Sequence, residues 1–210
     1  MTETTRRQQL RRLAAAAVLL GAALSTRADF LQVDCRPAMN RAHDASPYYQ
    51  GQKEDYGWLS PGTWTVPVPG SPEPVPFTVV DPARNDGRSV AITRGVKNSF
   101  PPEIRVRLYA ANATRLHLLG MASGWGNQPE GTVAGQLEIA FTDGPPLTLP
   151  LRTGIEIDDW TNHRAAAAIP AASAAPDGRG HHVDVLTVDL EDRSGDTIRH
   201  LTISSPGQVS

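Results

Sequence analysis

The chain has 210 residues, a formal net charge of −2, a single cysteine and 20% charged residues. One thiol excludes a disulfide-stapled scaffold and any zinc centre built on several thiolates; the near-neutral charge leaves no basic footprint for nucleic acid. Its 18 glycines and 18 prolines, about 17% of the chain against about 12% in average usage, suit a turn-rich β protein.

At the N-terminus Arg6, Arg7, Arg11 and Arg12 precede the 12-residue apolar run Leu13–Leu24, which ends among the small residues Ala23 and Ser25. That order reads as a secretory signal-peptide helix over residues 1–25. Thr5–Leu10 resembles a twin-arginine pattern in which Gln9 replaces the usual hydrophobic residue, so both the general and the twin-arginine export routes stay open. Cys35, in Gln-Val-Asp-Cys, does not stand at lipobox spacing. The apolar run is shorter than the 18 or so residues of a membrane span, so no stable membrane insertion is expected after cleavage. Removal takes away four of the 20 basic residues and one of the 22 acidic ones, which leaves 16 against 21 and a net charge of −5. The expected location is secreted or periplasmic, with residues 26–210 as one domain.

Beyond the signal, period-2 patterns dominate. Strands are expected at about 30–34, 63–68, 75–80 and 89–93, the first of them burying Cys35. Ile104, Val106 and Leu108 alternate with Arg105, Arg107 and Tyr109, the pattern of a half-buried strand. Another strand is expected at 114–121. Leu137, Ile139 and Phe141 alternate with Glu138, Ala140 and Thr142, and Leu147, Leu149 and Leu151 follow the same rule. Thr142-Asp143-Gly144-Pro145-Pro146 between them predicts a hairpin. Ser194-Gly195-Asp196 predicts a second hairpin, joining strands at 183–191 and 197–204. Residues 162–182 read as an Ala/Pro-rich loop. Some ten short antiparallel strands with no persuasive helix predict an all-β, jelly-roll-like antiparallel β-sandwich.

Four segments carry a family resemblance. Val75–Pro82 with Asn85–Ile92 is similar to a "VPF-x-hydrophobic-DP…N-x-GKS" stretch. Ala113–Gly126 resembles an "A-x-x-L-x-F-L-H-A-x-G-W-G" strand, with Gly120 and Met121 replacing the His-Ala step. Gly135–Gly144, Leu149–Leu151 and Gly154–Trp160 resemble a "DG…IPL…G-x-D-I-x-DW" hairpin, here without a second tryptophan, and Ile198–Ser205 resembles the closing strand. Together they resemble bacterial galactose-binding-like β-sandwich modules, over roughly residues 56–205. The resemblance implies a carbohydrate-binding module of the kind that accompanies glycoside-processing enzymes.

Sugar recognition needs flat apolar faces for pyranose C–H groups and fixed polar groups for hydroxyls. Trp58, Trp125 and Trp160 are the candidate platforms, with Asn127, Asp158 and Asp159 as polar partners. Glu138, Glu156, Asp158 and Asp159 are the carboxylates a glycosidase would draw on; Glu156 and Asp158 at i, i+2 would share a strand face. The acidic stretch itself is otherwise expected to be a solvated edge or a structural cation site. The six histidines show no metal-binding spacing. Asp81, Asn85 and Asp86 offer oxygens for a structural calcium, against which stands a simple turn held by Asp81 and Asn85. No cofactor is expected. The sequence thus reads as an exported, non-catalytic carbohydrate-binding module. A structural or protein-interaction sandwich of the cell envelope, with a protein partner there, is the alternative, and a small glycoside hydrolase or lyase is the third reading.

Overall fold

A computed structural model describes residues 29–43, 60–95, 99–122, 129–159 and 182–205. The signal peptide expected at 1–25 lies outside the described residues, as does nearly all of the expected Ala/Pro-rich loop. The described fold is all-β: β1 (Gly62–Val66), β2 (Val75–Val79), β3 (Glu103–Ala111), β4 (Arg115–Gly120), β5 (Val133–Phe141), β6 (Leu147–Arg152), β7 (Asp184–Asp189) and β8 (Thr197–Ser204). Every pairing between these strands is antiparallel.

The main sheet has the order β3–β8–β5–β6, and β4 pairs with β7 in a second, two-stranded sheet. Alternation sends Leu137 and Ile139 of β5 and Ile198 and Leu201 of β8 to one face, where all four are at most 4% exposed. That face packs on Leu116 and Leu118 of β4 and Leu186 and Val188 of β7. Val185 and Leu119, on the far side of the small sheet, pack on Val66, Val75 and Phe77 of the β1–β2 hairpin. The β4–β7 pair is therefore covered on both faces. Each buried Leu or Ile removes enough apolar surface from water to contribute about 1.5–3 kcal/mol.

The β5–β6 hairpin forms where Asp143-Gly144 predicts it, with Gly144 at φ 78°. Pro150 sits in β6, the sheet edge, where its missing N–H interrupts no ladder. The second predicted hairpin does not form. β7 belongs to the small sheet and β8 to the main one, so residues 190–196 carry the chain across the core. Leu190, 2% exposed, plugs that crossing, and its N–H donates to Thr114 O at 2.8 Å. Turn residues at 194–196 reverse the chain, but two apolar strand faces that must oppose one another cannot also be neighbours in one sheet.

Two further expected strands are replaced by side-chain hydrogen bonding. In 30–34, Gln32 Nε2 donates to Pro76 O at 3.3 Å while its Oε1 accepts from Thr78 Oγ1 at 3.0 Å. One amide thus docks the segment on β2 without a ladder. Cys35 is consequently outside any strand, half-buried, and its burial and the neighbouring Asp34 raise its thiol pKa. In 89–93 only Val90 forms a bridge, to Arg41; Asn40 holds Ile92 through Nδ2 to its O (2.9 Å) and Oδ1 from its N–H (3.0 Å).

At 81–88, Asp81 caps a short 3-10 turn over Pro82–Arg84 by accepting from Ala83 N–H at 2.9 Å. Asn85 Nδ2 donates to Arg88 O at 2.9 Å, so these side chains hold the turn itself.

Gly135 has no room for a side chain. A Cβ built there would lie 2.9 Å from Ser204 O, a backbone atom that cannot yield cheaply. Gly135→Ala is expected to destabilise the protein by about 1–3 kcal/mol, measured as a lowered urea midpoint at unchanged slope.

Candidate functional site

The chain passes between the two sheets at both ends of the sandwich. At one end the crossings are 112–114 and 190–196. At the other, the C-terminal ends of β4 and β6 and the start of β7 converge, and the candidate site is built there. Three local devices assemble it.

Ala122, two residues past β4, forms a parallel bridge with Asp159, and its N–H donates to Asp158 O at 2.8 Å. After β6, Gly154 at φ 71° turns the chain so that its N–H donates to Ile157 O at 2.8 Å. Thr153, fully buried, ties this turn to the approach of β5: its Oγ1 donates to Pro129 O at 3.0 Å and its N–H to Thr132 O at 2.9 Å. Arg152 and Glu156 close the turn as a bidentate ion pair, reinforced by Arg152 N–H donating to Glu156 Oε2 at 2.9 Å.

Behind the turn lies a buried polar cluster. Asp158, Asp159, His182 and Asp184 are all at most 2% exposed. Asp184 Oδ2 accepts from Asp158 N–H at 2.9 Å, and Asp158 Oδ1 accepts from Asp159 N–H at 2.9 Å. His182 Nε2 stands 3.6 Å from Asp184 Oδ1. A carboxylate that accepts backbone N–H bonds is stabilised inside a protein, whereas a bare one would be costly to bury. These groups therefore position backbone: Asp184, at the start of β7, holds the 158–159 segment against the small sheet.

This arrangement corrects two expectations. Asp158 and Asp159 are not a solvated edge; their burial gives them hydrogen-bonding roles within the fold. Glu156 and Asp158 do not share a strand face, because 154–157 is a turn; Glu156 engages Arg152 while Asp158 faces inward. Glu138 lies elsewhere, opposite Thr202 and Thr148 in the middle of the main sheet. Among the described residues no group of three His, Cys, Asp or Glu side chains is disposed to hold a metal ion.

Trp58, Trp125, Asn127 and Trp160 lie outside the described residues, but the chain positions from which their segments depart do not. Segments 123–128 and 160–181 leave from Ala122 and Asp159, which are bridged. The segment 44–59 ends at Ser60, whose carbonyl accepts from Trp64 Nε1 at 3.0 Å. Trp64 packs with Met121 and Val183, the neighbours of Ala122 and His182. All three tryptophan-bearing segments are thus anchored at one end of the sandwich. Trp64 itself is half-buried there, packed against Val183. No sequence signal marks Asp184 as the partner of the 158–159 segment, since its separation of 26 residues from Asp158 is bridged only in the fold.

No family model, curated protein or solved structure matches this chain.

Asp184→Ala is expected to cost about 1–3 kcal/mol of stability by leaving the Asp158 N–H without its acceptor, with Asp184→Asn costing less because an amide oxygen still accepts; urea unfolding of both variants checks this. A second expectation concerns acid. Burial alone would raise the Glu156 carboxyl, but the side-chain and backbone bonds from Arg152 and its charge hold it below the ordinary 4.5. Its stabilisation is therefore complete above about pH 4.5 and lost as pH falls through the lowered value. Thermal unfolding from pH 6 to pH 3 is expected to show a smaller acid-side loss in Glu156→Gln than in the parent, from a lower starting stability.

Proposed function

We propose that this protein is an exported, non-catalytic β-sandwich that binds carbohydrate through the loops at one end of the fold. The observation that carries the reading is the common anchorage of the segments bearing Trp58, Trp125 and Trp160. Rings delivered from three loops to one end can present the flat apolar faces that pyranose C–H groups need. Loops on a rigid sheet scaffold are also the usual carriers of binding residues.

In this reading the aromatic platforms are Trp58, Trp125 and Trp160, with Asn127 as a hydroxyl partner. Asp158 and Asp159 are positioning residues. Their bonds to Asp184 and to the backbone set the stem from which Trp160 follows, and the Ala122 bridge sets the stem three residues before Trp125. Rigid stems reduce the ordering cost that a loop site pays on binding. The sequence resemblance to galactose-binding-like modules supplies the family context for this proposal, and export is inferred from the basic and apolar N-terminal segment.

The test is glycan-array screening of the full chain followed by calorimetric titration of its best ligand. At least one of Trp58→Ala, Trp125→Ala and Trp160→Ala should lower affinity tenfold or more, about 1.4 kcal/mol. Trp64→Ala should instead lower the unfolding midpoint, since Trp64 packs into the core. Absence of binding to any glycan, or parental affinity in all three variants, defeats the proposal.

A further inference from the structure

The outer face of the main sheet is polar, and its charge is unevenly distributed. Along β3, Glu103, Arg105, Arg107 and Tyr109 point away from the core at every second residue, in steps of roughly 6.8 Å. Arg107 stands opposite His200 of β8 and Arg105 opposite Thr202. Between the inward-facing Ile198 and Leu201, β8 carries two outward residues rather than one. The extra residue is a bulge that leaves Ala140 opposite His200 but Phe141 opposite Ile198. Arg199 and His200 are therefore both on the outer side. Arg105, Arg107 and Arg199 are exposed, and Tyr109 is 78% exposed.

Among the described residues no salt bridge joins Arg105, Arg107 or Arg199 to a carboxylate. The acids on this face are Glu103, beyond Arg105 beside Ser204, and Glu138, across Thr202 on β5. The net field is positive all the same. His200 is held below its ordinary value of 6.5 by burial and then by the charges of Arg105, Arg199 and Arg107, which outweigh Glu138. Thr202, 7% exposed between Arg105 and Glu138, has a hydroxyl with no hydrogen-bond partner among the described residues.

Three arginines without a carboxylate partner among the described residues, gathered on one face of a chain whose net charge is −2, are not explained by overall charge balance. They cost mutual repulsion that a multivalent anion would relieve. We propose that this face binds the acidic sugars of a glycan: Arg105, Arg107 and Arg199 engage its carboxylate or sulfate groups, and the Tyr109 ring lies against a sugar. The proposal rests on the carbohydrate reading above and narrows it to a polymer that carries acidic residues. A guanidinium takes a carboxylate or sulfate bidentately, which a lysine ammonium cannot do. The exposed ring beside the arginines favours a sugar polymer, whose C–H faces stack on it, over a bare polyanion.

The full chain is titrated calorimetrically with polygalacturonate, with a neutral galactan and with single-stranded DNA, at 50 and 200 mM salt. Polygalacturonate is expected to bind most tightly of the three and to weaken with salt. The double variant Arg105→Gln/Arg107→Gln should lower its affinity at least tenfold and flatten the salt dependence, with an unchanged unfolding midpoint because both side chains are exposed. Arg199→Gln should give a several-fold loss, and Tyr109→Ala a several-fold loss with the salt dependence intact. Galactan binding should survive the arginine changes. Polygalacturonate affinity that persists in the double variant but falls in Trp125→Ala or Trp160→Ala overturns this proposal and leaves the carbohydrate reading standing. Binding to neither glycan overturns this proposal and leaves the carbohydrate reading to the array, and tighter binding to DNA overturns the choice of an acidic glycan.

Discussion

Among the described residues the β4–β7 pair is the main cover that keeps the inner face of the main sheet dry, and the remainder of the fold follows from that cover. Leu137 and Ile139 are fully buried beneath it. A two-stranded ribbon is marginal in water by itself. Here it is held between two apolar surfaces, with Leu116, Leu118, Leu186 and Val188 facing the main sheet and Leu119 and Val185 facing the β1–β2 hairpin. His117 and Thr187 sit opposite each other in this ribbon, with His117 Nδ1 3.0 Å from Thr187 Oγ1, so the polar pair is satisfied within its own layer. The antiparallel β4 and β7 lie in one sheet while their sequence neighbours lie in the other. The chain must therefore cross the core at each end, and each crossing carries backbone polar groups that need partners.

The two ends meet that requirement differently. At one, short crossings are stitched directly, as Leu190 N–H donates to Thr114 O. At the other, the connections are longer, and carboxylates supply part of what backbone cannot. Asp184 and Asp158 accept N–H groups of the 158–159 segment, at ≤2% exposure, and Thr153 bonds to Pro129. An end that is rigid at its stems and generous in loop length is where a fold of this kind has room to vary its surface without disturbing its core.

Alternating strands were legible in the sequence because one face is wet and the other dry. Ile104, Val106 and Leu108 against Arg105, Arg107 and Tyr109 is a pattern that only a half-buried strand satisfies. What local pattern cannot encode is the sheet a strand joins. Ser194-Gly195-Asp196 reverses the chain equally well within a sheet or between sheets, and the outcome depends on where Leu190 is buried. Gln32 and Asn40 replace strand ladders with side-chain amides, and no periodicity announces that. Asp158 and Asp159 look like surface residues because charged side chains are seldom fully buried. Their burial becomes legible only once β7 brings Asp184 alongside to accept the Asp158 N–H. The tryptophan segments were singled out by composition, but that they depart from one end of the fold follows from the Ala122–Asp159 bridge and the packing of Trp64, both long-range features.

The direction of β3 gives the two proposed surfaces a geometric relation. Glu103 lies at the same end of the sandwich as Ala122 and Asp159, since β3 starts where β8 ends and β4 runs toward that end from Arg115. The stripe Arg105, Arg107, Tyr109 therefore runs away from the loop end along the outer face, over roughly 14 Å from Arg105 to Tyr109. A single polymer bound at the loops would continue along the stripe by leaving over Glu103, where a neutral sugar is better tolerated than an acidic one. Two weak contacts on one chain raise each other's effective concentration, so modest affinity at each surface becomes retention on a long polymer. A short oligosaccharide cannot reach both and gains nothing from the second. Length dependence of binding, rather than affinity for any one sugar, is then the property that the arrangement of these two surfaces would select.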